Sequence, residues 1–247
     1  AYYLSRAGAR PLLIEAREGP SDASRASLGV LTHFSGGQSV YGLFIRDSHA
    51  VHGPLADELF EKTGIDVGWR SLGGLDLVFD REDEALVEAQ WDQGRVRGVP
   101  IERLSGADVR RIEPSLAKQV RWGLYFPEDQ RVSPMKLGQA LLEGALVHGA
   151  QIEYGERLLC IAESGEGGVV VETSKGRRSA DHVVLASGAW TAPLAASVHA
   201  QVPVRPVRGE HGCFGGAELR HVLRHGGHQI IPLSLIHISE PTRQDSI

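Results

Sequence analysis

Glu15 stands directly after the apolar run Pro11-Leu12-Leu13-Ile14. A carboxylate at the end of a buried strand can accept hydrogen bonds from ribose hydroxyls in a dinucleotide fold, about twenty residues past a glycine motif. It can equally be a surface acid, and the G-x-G-x-x-G that would decide between the two is not in the chain. A second candidate is Ala186-Ser187-Gly188-Ala189-Trp190, which follows the apolar Val183-Val184-Leu185. A small-residue turn of this kind lets backbone approach a ligand closely, and a simple strand-to-helix connection is the alternative. His221, His225 and His228 have the i, i+4, i+7 spacing of one helix face and of a metal site. Gly226-Gly227 breaks any helix before the third histidine, so no metal is expected. His33, just past the Gly29-Val30-Leu31 turn, is read as a satisfied or solvent-facing side chain.

The elements that must position these residues alternate between helix and strand. Ala1-Tyr2-Tyr3-Leu4-Ser5-Arg6-Ala7-Gly8 reads as the last turns of a helix, with Gly8 as its stop and the strand to Glu15 next. That is the second half of a βαβ unit, so the chain is expected to lack the first half. Ala16 to Ser27 reads as a polar loop, and Val40 to Lys62 as a long helix stopped at Gly64. Strands are expected at 67–69 and 74–79, a helix at 83–96, and a short helix capped around Ser105 that ends at Glu113-Pro114. Trp122 to Phe126 is a strand, and Ser133-Pro134 opens a helix as N-cap and first-turn proline. Further strands are expected at 150–154, at 158–163 and 169–173 as a hairpin around Gly165 to Gly168, and at 183–186. The last, being fully apolar, suits a buried parallel sheet. Lys175-Gly176-Arg177-Arg178 reads as a solvated hairpin tip. A helix from Ala189 to Ala196, an extended stretch from Val202 to Phe214 and a final strand at 229–232 complete the pass.

Composition narrows the class. With 247 residues, 42% of them apolar, the chain has enough material for one large or two ordinary globular domains. The balance of 26 basic against 31 acidic residues gives no nucleic-acid footprint. No apolar run approaches the roughly 18 residues of a membrane span. Two cysteines, Cys160 and Cys213, exclude a disulfide framework and make a cytoplasmic location the expectation. Leu233 to Arg243, Leu-Ser-Leu-Ile-His-Ile-Ser-Glu-Pro-Thr-Arg, resembles a translated sequencing-library adapter and is read as a non-native scar, with an ordinary tail as the alternative.

An ordered set of segments carries a family resemblance. They are Ala1-Tyr2-Tyr3-Leu4, Leu12-Leu13-Ile14-Glu15, Ser27-Leu28-Gly29-Val30-Leu31, Val132-Ser133-Pro134, His148-Gly149-Ala150, Val183 to Trp190, and Pro206-Val207-Arg208-Gly209-Glu210. In this order and spacing, over nearly all of residues 1–232, the chain resembles the glycine oxidase and D-amino-acid oxidase-like family of FAD-dependent amine oxidoreductases. The implied fold is α/β: an FAD-binding Rossmann-like domain of glutathione-reductase type, interrupted by a β-rich α+β substrate domain. The implied boundaries are 1–66 and 128–200 for the FAD-binding domain and 67–127 and 201–232 for the substrate domain, with 233–247 outside both.

By the same resemblance, Glu15, with Ala16 beside it, holds the adenosine ribose. Ala23, Ser24 and the backbone of Leu28, Gly29 and Val30 line the flavin and its pyrophosphate. Leu158 passes its main chain along the adenine, and Ala186, Ser187 and Gly188 close over the cofactor. Arg208 and Gly209 lie where the chain enters the substrate domain. Gln229 falls where glycine oxidases carry a substrate-facing tyrosine, a departure that puts glycine itself in doubt. The implied reaction is hydride transfer from the α-carbon of a small amine or amino acid (glycine, a D-amino acid or an N-methyl amino acid) to flavin N5, with oxygen or a quinone as the final acceptor. The substrate-clamping arginine of the family lies beyond the matching residues, so no catalytic residue is assigned, and the fragment is expected to be inactive. A homo-oligomer is compatible with the resemblance. Sister flavoproteins of the sarcosine-oxidase, D-amino-acid-dehydrogenase or glycerol-phosphate-dehydrogenase type, and a non-catalytic or unfolded fragment, are the competing readings.

Overall fold

The computed structural model describes residues 1–19, 22–32, 39–163, 167–213, 215–216 and 218–232. Helix α1 (Tyr2–Arg6) leads into β1 (Leu12–Glu15), then α2 (Asp22–Ala26), β2 (Val30–Leu31) and the long α3 (Val40–Thr63). Gly64, at a positive φ of 70°, closes α3 with its amide on the Phe60 carbonyl. Next come β3 (Arg70–Ser71), β4 (Gly74–Val78) and α4 (Arg81–Arg97). Asp80 and Asp83 form a reciprocal capping box at the start of α4, and Gly98 ends it in the left-handed conformation. Then follow β5 (Glu102–Ser105), α5 (Gly106–Ile112), β6 (Trp122–Phe126), β7 (Gln130–Arg131) and α6 (Pro134–Val147). Ser105 caps α5 and Ser133 caps α6, each through its hydroxyl, with Pro134 in the first turn. The chain continues through β8 (Gln151–Tyr154), β9 (Leu158–Glu163), β10 (Val169–Thr173), β11 (Gly176–Ala180), α7 (Thr191–Ala195), β12 (Val222–His225) and β13 (His228–Ile230).

These elements form two compact units. The first contains Ala1–Ser27, Ala56–Val67 and Ser133–Cys213; the second contains Leu28–Leu55, Gly68–Val132 and the described residues after Phe214. The chain passes between the units at 27/28, 55/56, 67/68, 132/133 and 213/214. The second of these follows Pro54, a proline inside α3.

In the first unit β1 and β8 pair in parallel, Leu12 opposite Gln151 through Glu15 opposite Tyr154. Antiparallel β9, β10 and β11 form a separate three-stranded sheet. Helix α1 packs on α6 through a close approach. Tyr2 is buried, and its ring lies where a side chain on Gly144 would go, 2.7 Å from the nearest Cβ position. The Tyr2 hydroxyl donates to Glu58 at 2.7 Å, and Arg6 pairs with the same carboxylate.

The second unit holds a five-stranded mixed sheet in the order β13-β12-β4-β6-β5, in which β12 and β4 run parallel. Every residue of β4 is buried, because both faces of the sheet are covered. Leu75, Leu77 and Leu223 pack with Val109 of α5 on one face; Val78, Trp122, Leu124 and Phe126 pack with Val87 of α4 on the other. A small antiparallel sheet joins β2, β7 and β3.

Several expectations change. The stretch read as a polar loop contains α2, whose five residues are too short and too polar to show helical periodicity. Short β5 and β7 carry no alternation signal. Val183 to Ala186 is not a buried strand: no strand pairs with it among the described residues, and Val184 is 72% exposed. A strand needs a ladder partner as well as apolar side chains. The histidine-bearing stretch at 221–228 is a β-hairpin turning at Gly226-Gly227.

Gly144→Ala tests the α1–α6 approach. Overpacking costs about 1–3 kcal/mol, more than the gain of up to about 1 kcal/mol from alanine's helix propensity. The urea midpoint is expected to fall; an unchanged midpoint would show that Tyr2 moves aside freely.

Candidate functional site

Glu15 ends β1, and the carboxyl ends of parallel strands are where α/β sheets bind ligands. Its side chain is half-buried, with Oε1 accepting from the Arg17 amide at 3.0 Å. Its main-chain oxygen accepts from the Glu156 amide at 3.1 Å, which extends the β1–β8 association past the strand ends. Ala16 is exposed, as are Ala23 and Ser24 on α2. Helix α2 packs against α6 in the same unit, and its entry is tied by an Arg17–Asp22 ion pair at 2.6 Å.

Leu158 opens β9 two residues after the most deeply buried carboxylate of this unit. The Glu156 side chain is 0% exposed. Arg178 grips it at two points, Nε on Oε1 at 2.8 Å and Nη2 on Oε2 at 2.6 Å. The Thr173 hydroxyl donates to Oε1 at 2.6 Å. These contacts to Arg178 and Thr173 hold the Glu156 carboxyl down at about 2, against 4.5 for an ordinary glutamate. In the charged turn expected to be a solvated tip, Lys175, Gly176 and Arg177 are exposed and Arg178 turns inward. Arg178 answers Glu156, and Lys175 Nζ donates to the Tyr154 carbonyl at 2.9 Å. No local pattern announces this, because 22 positions separate the partners.

The turn at Ala186 to Gly188 is open. Gly188 has φ 53°, and nothing lies within 4 Å of the place a Cβ would occupy. Ser187 and Thr191 exchange a hydroxyl hydrogen bond at 3.2 Å that shapes the turn. Leu28, Gly29 and Val30 belong to the second unit. Gly29 is buried at φ 73°, and its carbonyl accepts from the Val132 amide at 2.8 Å. Val30 pairs with Arg131.

Gln229 is exposed on β13, directly opposite Arg224 of β12. Arg224 is clamped between the buried carboxylates of Asp76 and Asp129 and lies 5.0 Å from the centre of the Phe126 ring. Burial pushes the Asp76 carboxyl up, against the pull of Arg224. The hairpin is pinned at its start by Glu113, fully buried, whose Oε2 accepts from the amides of Arg220 and His221 and faces His221 Nδ1 at 3.1 Å. His225 Nδ1 lies 3.4 Å from Asp83, so two of the three spaced histidines face carboxylates within the fold. Among the described residues no three His, Cys, Asp or Glu side chains gather as a metal site. Arg208 forms an exposed pair with Glu210 at 3.1 Å. His33 and the string from Leu233 to Arg243 lie outside the described residues.

A model of the family described as FAD dependent oxidoreductase (DAO) matches residues 1–240. The chain belongs to that family. The match runs past Leu233, where the resemblance read from the segments stops. The chain is 35% identical over 194 residues to the glycine oxidase of Geobacillus kaustophilus, covering 78% of this chain and 51% of that protein. It is 29% identical over 238 residues to the glycine oxidase of Bacillus licheniformis, covering 94% of this chain and 62% of that one. The crystal structure of the Geobacillus kaustophilus glycine oxidase superposes with a TM-score of 0.85 at 29% identity, over 94% of this chain and 64% of that one. The chain thus spans about half to two thirds of the length of these relatives, and its mixed α/β fold is theirs. Among the described residues no helix is long and apolar enough to cross a membrane.

The Glu156 site predicts an acid response. Because its folded pKa is depressed, its contribution to stability is fully present above about pH 4.5 and is lost as pH falls toward about 2. Glu156→Gln should therefore lower the urea midpoint at pH 7 and flatten its decline between pH 4.5 and 2.5. Parallel wild-type and variant curves over that range would remove the ion pair from the account.

Proposed function

We propose that this chain is part of an enzyme that oxidises a small amine or amino acid, of the glycine, D-amino-acid or N-methyl-amino-acid class, with FAD as hydride acceptor. The match of the FAD-dependent oxidoreductase family along nearly the whole chain carries this reading. The residues suit the adenosine end of such a group: a half-buried acid at a parallel strand's carboxyl end, and a small-residue turn with open space over Gly188. Among the described residues no glycine-rich strand-to-helix turn supplies a pyrophosphate cradle.

When bound, FAD supplies the electron sink that takes the hydride from the substrate's α-carbon. In this reading Glu15 accepts the ribose hydroxyls, with Ala16 beside it leaving room for them. Ala23, Ser24 and the main chain of Leu28, Gly29 and Val30 line the pyrophosphate and flavin. Leu158 offers its backbone to the adenine, and Ala186, Ser187 and Gly188 admit close approach because they carry little or no side chain. Gln229 faces the substrate. Its amide both donates and accepts but carries no ring, so it fills less of the site than a tyrosine and leaves room for a substrate bulkier than glycine. The expected domains follow the same division of labour: residues 1–66 and 128–200 around the cofactor, 67–127 and 201–232 around the substrate. Oxygen or a quinone then accepts the electrons.

The protein expressed from its complete reading frame is expected to purify yellow. Glu15→Ala should weaken FAD binding about 10- to 100-fold, the worth of a charge-assisted hydrogen bond, measured by titration of flavin fluorescence. Anaerobic mixing with glycine, sarcosine, D-alanine and glycerol 3-phosphate then assigns the substrate class by which of them bleaches the flavin. A colourless product that rejects added FAD would overturn the proposal, and bleaching by glycerol 3-phosphate alone would move it to the sister enzymes.

A further inference from the structure

The buried Glu156 has a place in the fold that exceeds what sheet stability asks of it. Its carboxylate is completely enclosed, yet held by a two-point arginine contact and a hydroxyl. Replacing a buried ion pair by apolar side chains is often neutral or stabilising, so this pair is not explained by stability alone. What it does that apolar packing would not is fix direction. Paired N–H···O bonds from a planar guanidinium allow the carboxylate a single orientation.

That orientation is passed to the backbone on both sides of Glu156. Its own amide donates to the Glu15 carbonyl at 3.1 Å. On the other side, the Arg157 amide donates to Ser174 Oγ at 2.9 Å, and the Ser174 amide donates to the Arg157 carbonyl at 2.8 Å. Lys175 Nζ reaches back to the Tyr154 carbonyl at 2.9 Å. The turn between β10 and β11 therefore clasps residues 154–157 from outside, while Glu156 anchors them from within. Glu15 ends one parallel strand, and Leu158 opens the next sheet two residues beyond Glu156. The separation between their main chains is set by this short, fully tied connection.

We propose that Glu156, through Arg178, is the positioning residue for the adenosine half of the cofactor: it holds the Glu15 strand end and the Leu158 backbone at the spacing that ribose and adenine require. This rests on the reading of Glu15 and Leu158 as adenosine contacts. Glu156 touches no cofactor atom in this scheme and acts only through the backbone it orients.

The test uses FAD and ADP as probes on the protein expressed from its complete reading frame, with Kd from calorimetry and the melting temperature measured on the same samples. Glu156→Gln should raise the Kd for both FAD and ADP about tenfold. Arg178→Lys, which replaces the fork by a single point charge, should give a smaller rise in the same direction. Leu59→Ala, a cavity in the same compact unit at a fully buried residue of α3, should lower the melting temperature and leave both Kd values unchanged. If Glu156→Gln and Arg178→Lys lower the melting temperature but bind ADP as the wild type does, the pair serves the sheet only and the proposal falls. Glu15→Ala is run beside them. If it weakens ADP while the other two do not, only the positioning role is lost; if it too binds ADP normally, the reading of the adenosine site fails with it. Should Glu156→Gln not fold, Arg178→Lys and Thr173→Val decide the matter by the same two readouts.

Discussion

A carboxylate taken out of water has to be answered by a cation or by a set of hydrogen-bond donors, and this constraint organises both units of the chain. In the first, Glu156 is answered by Arg178 and Thr173. In the second, Asp76 and Asp129 share Arg224, while Glu113 is met by two backbone amides and His221. Each arrangement ties together segments far apart in sequence. Two of them also lie one step from a residue that the functional reading uses. Glu156 bonds the strand end at Glu15, and Arg224 stands opposite Gln229. Removing one partner of such a pair strands a buried charge, which costs far more than the pair contributes when whole. Strand register around these positions is correspondingly hard to shift.

This arrangement suits a flavin-dependent enzyme, where the protein has little bond chemistry of its own to perform. In the proposed function the demands on the chain are spacing and orientation, and the structure offers an acid at a strand end, open backbone at small residues, and an exposed Gln229 on a pinned hairpin. Most of the implied cofactor contacts come from the main chain. Such contacts depend on where the backbone lies.

Parts of this were legible in the sequence. Ser133-Pro134, Ser105 and Gly64 announced their helix ends because capping is a local interaction with a local signature. The strand at Trp122–Phe126 was visible because its apolar content matches its burial, and Leu12–Glu15 because of its apolar run, although Leu12 stays exposed and the rest half-buried. Other parts were misleading. Val183 to Ala186 has strand composition without a ladder partner. The histidines at 221, 225 and 228 have helical spacing but lie on a hairpin, since two glycines at the turn outweigh any periodicity. Lys175 and Arg177 are solvent-facing as they look, but nothing local separates Arg178 from them, or Glu156 from other acids.

The sequence by itself determined the longer helices, several of their caps and the family, because each rests on neighbouring residues or on an ordered set of short segments. Only the tertiary structure decided which charges turn inward, that Arg178 reaches Glu156 and Arg224 reaches Asp76 and Asp129, and that the Glu156 main-chain amide meets the strand end at Glu15. The reason is that desolvation is a property of the packed chain. A charged residue looks the same in sequence whether water or an arginine from a distant strand surrounds it.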